Sequence, residues 1–364
     1  MKRLNKYDGI DFFRMIAAFL AVGAHTYPFS SISNEMNYLF IHIFARIAVP
    51  FFMMATGYFL LPRFFDNKYQ TKLNGLNDLN DSSDQKSQTG QRSRNKEHLN
   101  KFIKKTGLLY FGTIILYLPV SIYAGYYSNG NVAGTFIRNL VFDGTFYHLW
   151  YLPAVILGVT LIYILSLKCS LRLTFGITVI LYILGILGDN YYGIIEKIPV
   201  MHALYETGFH VFSYTRNGLF YAPVFLTMGA LIAARQEKQN HPRFNMVGFI
   251  ICMILMATEG MLLRHFAIPR HTSMYLMLLP CMYFLFGFVK SHTGKRSLFM
   301  RDTSMWIYIL HPLVIIAIRG GARIIGLTDL FVENSIVFFI FVCGLSLICS
   351  IIIGMRKKSL KDFC

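Results

Sequence analysis

Apolar residues fall along this chain in ten long blocks, at 10–29, 38–61, 106–124, 148–167, 173–188, 217–234, 245–263, 273–289, 303–319 and 335–354. Polar and charged residues collect in the connections. A helix rising ~1.5 Å per residue crosses a ~30 Å hydrocarbon core in about 20 residues, so each block is a candidate span. The block at 173–188 is short and contains glycine. The pattern predicts an all-α integral membrane protein with about ten transmembrane helices, read as one membrane domain over 1–364. Between the second and third blocks, residues 66–100 are rich in Asn, Asp, Ser, Gln and Lys and poor in aromatics. They read as a disordered cytosolic loop whose role is spacing.

Composition agrees. Of 364 residues, 55% are hydrophobic, 33 are Phe and 22 are Tyr, more apolar surface than a soluble fold hides. The net charge of +17 carries no basic stripe within a nucleic-acid fold, so no nucleic-acid partner is expected. It works instead as a topology signal. With a cytosolic amino terminus, 26 of the 35 Lys and Arg lie in cytosolic segments, and both termini are expected in the cytosol. The start resembles a signal peptide, but Arg14 interrupts its apolar run, which favours a retained first helix. The six cysteines form no CxxC pair and lie mostly in apolar runs, so neither a disulfide nor a metal site is expected.

Arg14 and His25 share the first block. Eleven steps of 100° bring both to one helix face, about 16 Å apart along the axis. A cation within a span costs on the order of 2.5–3.5 kcal/mol, so either a cavity uses Arg14 or it reaches for lipid headgroups. Arg46 recurs at mid-depth in the second block. Other polar groups fall at similar depth toward the outer side: His148 and Trp150 opening the fourth span, Arg216 and Asn217 opening the sixth, and Glu259 in the seventh. Arg270, His271, Ser273 and Tyr275 open the eighth, and His311 precedes Pro312 within the ninth. Interfacial anchoring, a structural Glu–Arg pair with Arg46, and relief of the proline kink by His311 are the bland alternatives. Together the residues point to an embedded or outward-facing polar cavity.

Two chemistries fit that set. An imidazole near a carboxylate suits general-base attack by a hydroxyl acceptor, with Arg14, His25, Glu259 and His311 as the catalytic candidates. Paired cations with one carboxylate suit an amino acid, with Arg46, His148, Trp150, Arg216, Asn217, Arg270, His271, Ser273 and Tyr275 as binding candidates. No Gly-rich phosphate loop, HExxH or GxSxG motif separates them.

GIDFFRMIAAFLAVGAHT (9–26), RIAVPFFMMATGYFL (46–60), and Ser304, Tyr308, His311 and Pro312 resemble the acyltransferase-3 family. The resemblance implies ten-helix bacterial membrane enzymes that move acyl groups from acyl-CoA to extracytoplasmic acceptors, with Arg14 and His25 as functional residues. YHLWYLPA (147–154), TRNGLFYAPVFLTMG (215–229), IPRHTSMYLMLLP (268–280) and TSMWIYILHP (303–312) resemble the membrane region of VanT-type serine racemases. That likeness implies a multi-pass bacterial cell-membrane protein supplying L-serine for D-Ser-ending cell-wall precursors in vancomycin resistance. Arg46, Glu259, Arg216 and His271 would shape its amino-acid site. The chain ends after the tenth block, so PLP is expected only in a separate racemase polypeptide, which this chain either supplies or merely anchors.

Overall fold

The computed structural model describes residues 8–65, 81–126, 131–235, 241–292 and 297–362. Its principal helices are α1 (Asp8–Thr26), α2 (Asn34–Leu60), α3 (Asp81–Tyr123), α4 (Val132–Arg138), α5 (Tyr151–Ser166), α6 (Leu171–Leu187), α7 (Pro199–Val211), α8 (Ala222–Ala234), α9 (Pro242–His265), α10 (Leu278–Ser291), α11 (Leu298–Ile324) and α12 (Ser335–Asp362). Among the described residues there is no strand. Of the described residues, six helices (α1, α2, α3, α9, α11 and α12) are long and apolar enough to cross a membrane, and α5, α6, α8 and α10 are shorter apolar helices. This is an all-helical integral membrane protein. Each of the ten apolar blocks overlaps one of these ten helices.

Local chemistry sets the ends. Ser170, Ser297 and Asn131 accept the N–H groups of Leu173, Met300 and Gly134, capping α6, α11 and α4. Within α2, a π turn at Leu39–Ile43 and a 3-10 turn at Phe44–Ile47 precede Pro50, which supplies no N–H to the ladder.

One expectation changes. Residues 81–100, expected within a disordered loop, are helical and begin α3. An apolar segment already committed to helix supplies the nucleus, and extension adds one bond per residue. Glu97 and Lys101, 2.6 Å apart, add an i,i+4 pair. Residues 66–80 lie outside the described residues. The described residues pack as two compact units, the first the described parts of Met1–Phe52, Lys238–Leu262 and Met277–Cys364, the second those of Met53–Glu237 and Leu263–Leu276.

In the first unit α1 packs on α11 and α12. Ala18 and Val22 meet Ile307, Val314, Ile315, Phe338 and Val342 in its core. In the second, α8 packs on α5 and α6. There the end of α2 crosses α8 so closely that a Cβ on Gly57 would strike the Leu226 carbonyl, and one on Gly229 the Met54 carbonyl. Small residues permit such close crossings in lipid, which supplies no hydrophobic drive between helices. Leu108 and Phe111 on α3 stay 63% and 60% exposed, as a lipid-facing surface would be.

Candidate functional site

Five of the candidate residues (Arg14, His25, Arg46, Glu259 and His311) lie in the first unit, and eight lie in the second. In the first unit, α1 carries an ion pair that sequence reading missed. Arg14 Nη1 donates to Asp11 Oδ1 at 2.6 Å, with side chains 12% and 2% exposed. A buried carboxylate one turn away offsets the cost of a cation in an apolar span. The DFFR spacing of three was a visible signal for the pair.

At the other end of α1, the His25 ring stacks on His311 of α11, centroids 5.4 Å apart and planes 20° apart. His311 is fully buried, and its Nδ1 lies 3.1 Å from the Ile307 carbonyl oxygen. In a neutral ring, an Nδ1–H given to Ile307 leaves Nε2 as the basic nitrogen. Tyr308 lies 6.3 Å from the same ring.

Arg46 occupies the 3-10 turn of α2, its Nη2 3.2 Å from His42 Nδ1 in the adjoining π turn. Glu259 Oε2 accepts the Met277 N–H at 3.0 Å, at the amino end of α10. A carboxylate there is favoured by the helix dipole, which gives Glu259 a structural use beside any chemical one.

In the second unit, the Arg216 guanidinium lies over Trp150 (5.0 Å to the ring centre) and Tyr214 (4.7 Å), and His271 lies 4.6 Å from Tyr214. Trp150 also meets Tyr221 at 5.7 Å. His148 and Trp150 lie just before α5, with Trp150 at its N-cap, and are 1% and 9% exposed. His148 is enclosed by Tyr117 and Phe146, centroids 4.9 and 5.7 Å away.

Asn217 holds a turn. Its Oδ1 accepts the N–H groups of Leu219 and Phe220, and its Nδ2 donates to the Tyr214 carbonyl, so its side chain is engaged in shaping the approach to α8. Arg270, His271, Ser273 and Tyr275 precede α10, which starts only at Leu278. Pro269 breaks the helical ladder at the start of this stretch, and Pro280 sits in the first turn of α10, where its missing N–H is tolerated. Arg270 leans on Phe209, 3.4 Å from the ring centre, and Nη1 donates to the Ser213 carbonyl.

Asp189 and Asn190, both fully buried, hold that non-helical segment and were not singled out from sequence. Asp189 Oδ1 accepts the N–H groups of Ser273 (2.7 Å) and Met274 (3.0 Å), and its carbonyl accepts that of Arg270 (3.0 Å). Asn190 Nδ2 donates to the Met274 carbonyl, and Tyr182 to that of Tyr275, both at 2.8 Å. A buried segment without helical bonds needs such partners for its backbone. Among the described residues no cluster of three or more His, Cys, Asp or Glu side chains is arranged to hold a metal ion.

The profile of the acyltransferase-3 family, described as an acyltransferase domain, matches residues 7–355. The chain belongs to that family. This acyltransferase-3 protein is 37% identical over 99% of its length to an amino-acid racemase of Enterococcus faecalis and 33% identical to a second from the same organism. It is 30% identical over 94% of its length to a serine/alanine racemase of Enterococcus gallinarum. The chain spans about half the length of these curated relatives: 47%, 47% and 45%. No solved structure matches. Within the family frame, the first unit offers an imidazole pair suited to proton transfer, and the second a ringed guanidinium suited to an anion.

Proposed function

We propose that this protein is the membrane part of a VanT-type serine racemase system, taking up or delivering L-serine for D-Ser-ending cell-wall precursors. The observation that carries the reading is the 37% identity, over 99% of the chain, to a protein named amino-acid racemase. It sits in the bacterial cell membrane with ten crossings and both termini cytosolic, in line with the placement of Lys and Arg. Arg216, between Trp150 and Tyr214, takes the serine carboxylate, with His271 alongside. Low local dielectric strengthens such a charge-assisted contact. In this reading PLP is held by a partner racemase.

The test is flux of labelled L-serine into proteoliposomes. Uptake above empty vesicles is expected, with a loss of at least tenfold in Arg216→Gln. Vesicles that carry the folded protein yet show no serine flux overturn the reading.

A second reading is favoured by the stacked His25 and His311 rings and by membership of the family. It is an O-acyltransferase in which His25 draws the proton from an acceptor hydroxyl and Arg14 orients the acyl-CoA donor. Acyl-CoA consumption that disappears in His25→Ala supports it. Undiminished consumption in that variant counts against it.

A further inference from the structure

α7 matches none of the ten apolar blocks, yet it presents three distinct faces. At 100° per residue, Val200, Leu204, Thr207 and Val211 fall within about 60° of one another. Val200, Leu204 and Val211 are 78%, 63% and 55% exposed. About 150° round the helix lie Tyr205 and Phe209, packed on Tyr192 and Ile195. His202, Glu206 and His210 form the third face.

The rotation of α7 about its own axis is fixed. Tyr192 donates to Glu206 Oε1 at 2.8 Å and lies 3.0 Å from His202 Nδ1, and the Phe209 ring packs 5.7 Å from that of Tyr192. The exposed stripe therefore cannot turn inward. The depth of α7 is fixed as well, because Tyr205 donates to the Leu184 carbonyl at 2.7 Å, in the last turn of α6. α6 exposes Ile180 and Ile183, and the link to α7 exposes Ile194 and Ile198. The apolar stripe of α7 is thus anchored at the level where an apolar helix ends, alongside the apolar surface that helix turns outward.

We propose that α7 is an interfacial helix, seated in the bilayer surface with Val200, Leu204 and Val211 among lipid acyl chains and His210 toward water. An amphipathic helix in that plane buries its apolar face a few ångströms below the headgroups. The occupant of the stripe is lipid, because the bond to α6 places it at the membrane boundary.

Tryptophan placed singly at Val200, Leu204, Val211 and His210 of the full chain in liposomes tests this against the background of the two native tryptophans. Emission added at Val200, Leu204 and Val211 is quenched at least twofold by phospholipids brominated near the glycerol end, and little by aqueous iodide. Emission added at His210 shows the reverse. On the unmodified protein, a lipid-borne diazirine read by mass spectrometry marks the same three positions and spares His210. Iodide quenching on the stripe overturns the proposal. So does protection from both quenchers, which would mean that a second copy or another protein covers it.

Discussion

Asp189 shows what a single buried carboxylate does for a segment that has left helical geometry. Its Oδ1 satisfies two backbone N–H groups, so Asp189→Ala orphans both at about 1–3 kcal/mol each. Unfolding of the detergent-purified protein, followed by fluorescence, should shift down by several degrees for Asp189→Ala and by less for Asp189→Asn, which keeps an acceptor oxygen. Arg14 was legible in the sequence because an isolated cation in hydrocarbon needs a reason. Asp189 was not, since one acidic residue after Gly188 at the end of an apolar block looks like a solvated turn.

Tyr192 carries a pH dependence. Burial first, and then its bond to Glu206, push its hydroxyl up to about 12. An acid whose folded value is raised stabilises the fold fully below its unfolded value of about 10, and that stabilisation is lost as pH rises toward 12. The stability gap between the parent and Tyr192→Phe should therefore be constant up to about pH 10 and shrink from there to 12. A gap that widens over that window contradicts the assignment.

At the scale of elements, the crossing of α2 and α8 is the most exacting contact. Gly57→Leu and Gly229→Val force side-chain carbon into backbone, so each should cost at least about 2 kcal/mol and reduce the folded yield in membranes. Gly320→Ala in α11, where an added Cβ meets nothing within 4 Å, should be neutral or stabilising by about 0.5–1 kcal/mol. Size-exclusion profiles and unfolding midpoints separate the two classes. The ten apolar helices were legible because hydrocarbon demands long uninterrupted runs. The start of α3 and the whole of α7 were not: neither has such a run, and one depends on extension from its neighbour, the other on docking by Tyr192 and Phe209.

At the scale of the molecule, the sequence singled out polar residues but could not say which of them meet. Helix periodicity places Arg14 and His25 on one face, whereas only the packing of α1 on α11 brings His25 to His311. Trp150 and Tyr214 flank Arg216, and His271 meets Tyr214, an arrangement drawn from three separate stretches of chain that no spacing rule connects. The two readings of function therefore rest on different groups of residues, and their variants diverge. Equilibrium binding of L-serine to the purified protein in nanodiscs decides most directly between them. The account predicts saturable binding that His25→Ala retains and Arg216→Gln abolishes. Folded protein that binds no serine, yet consumes acyl-CoA in a manner dependent on His25, would contradict it.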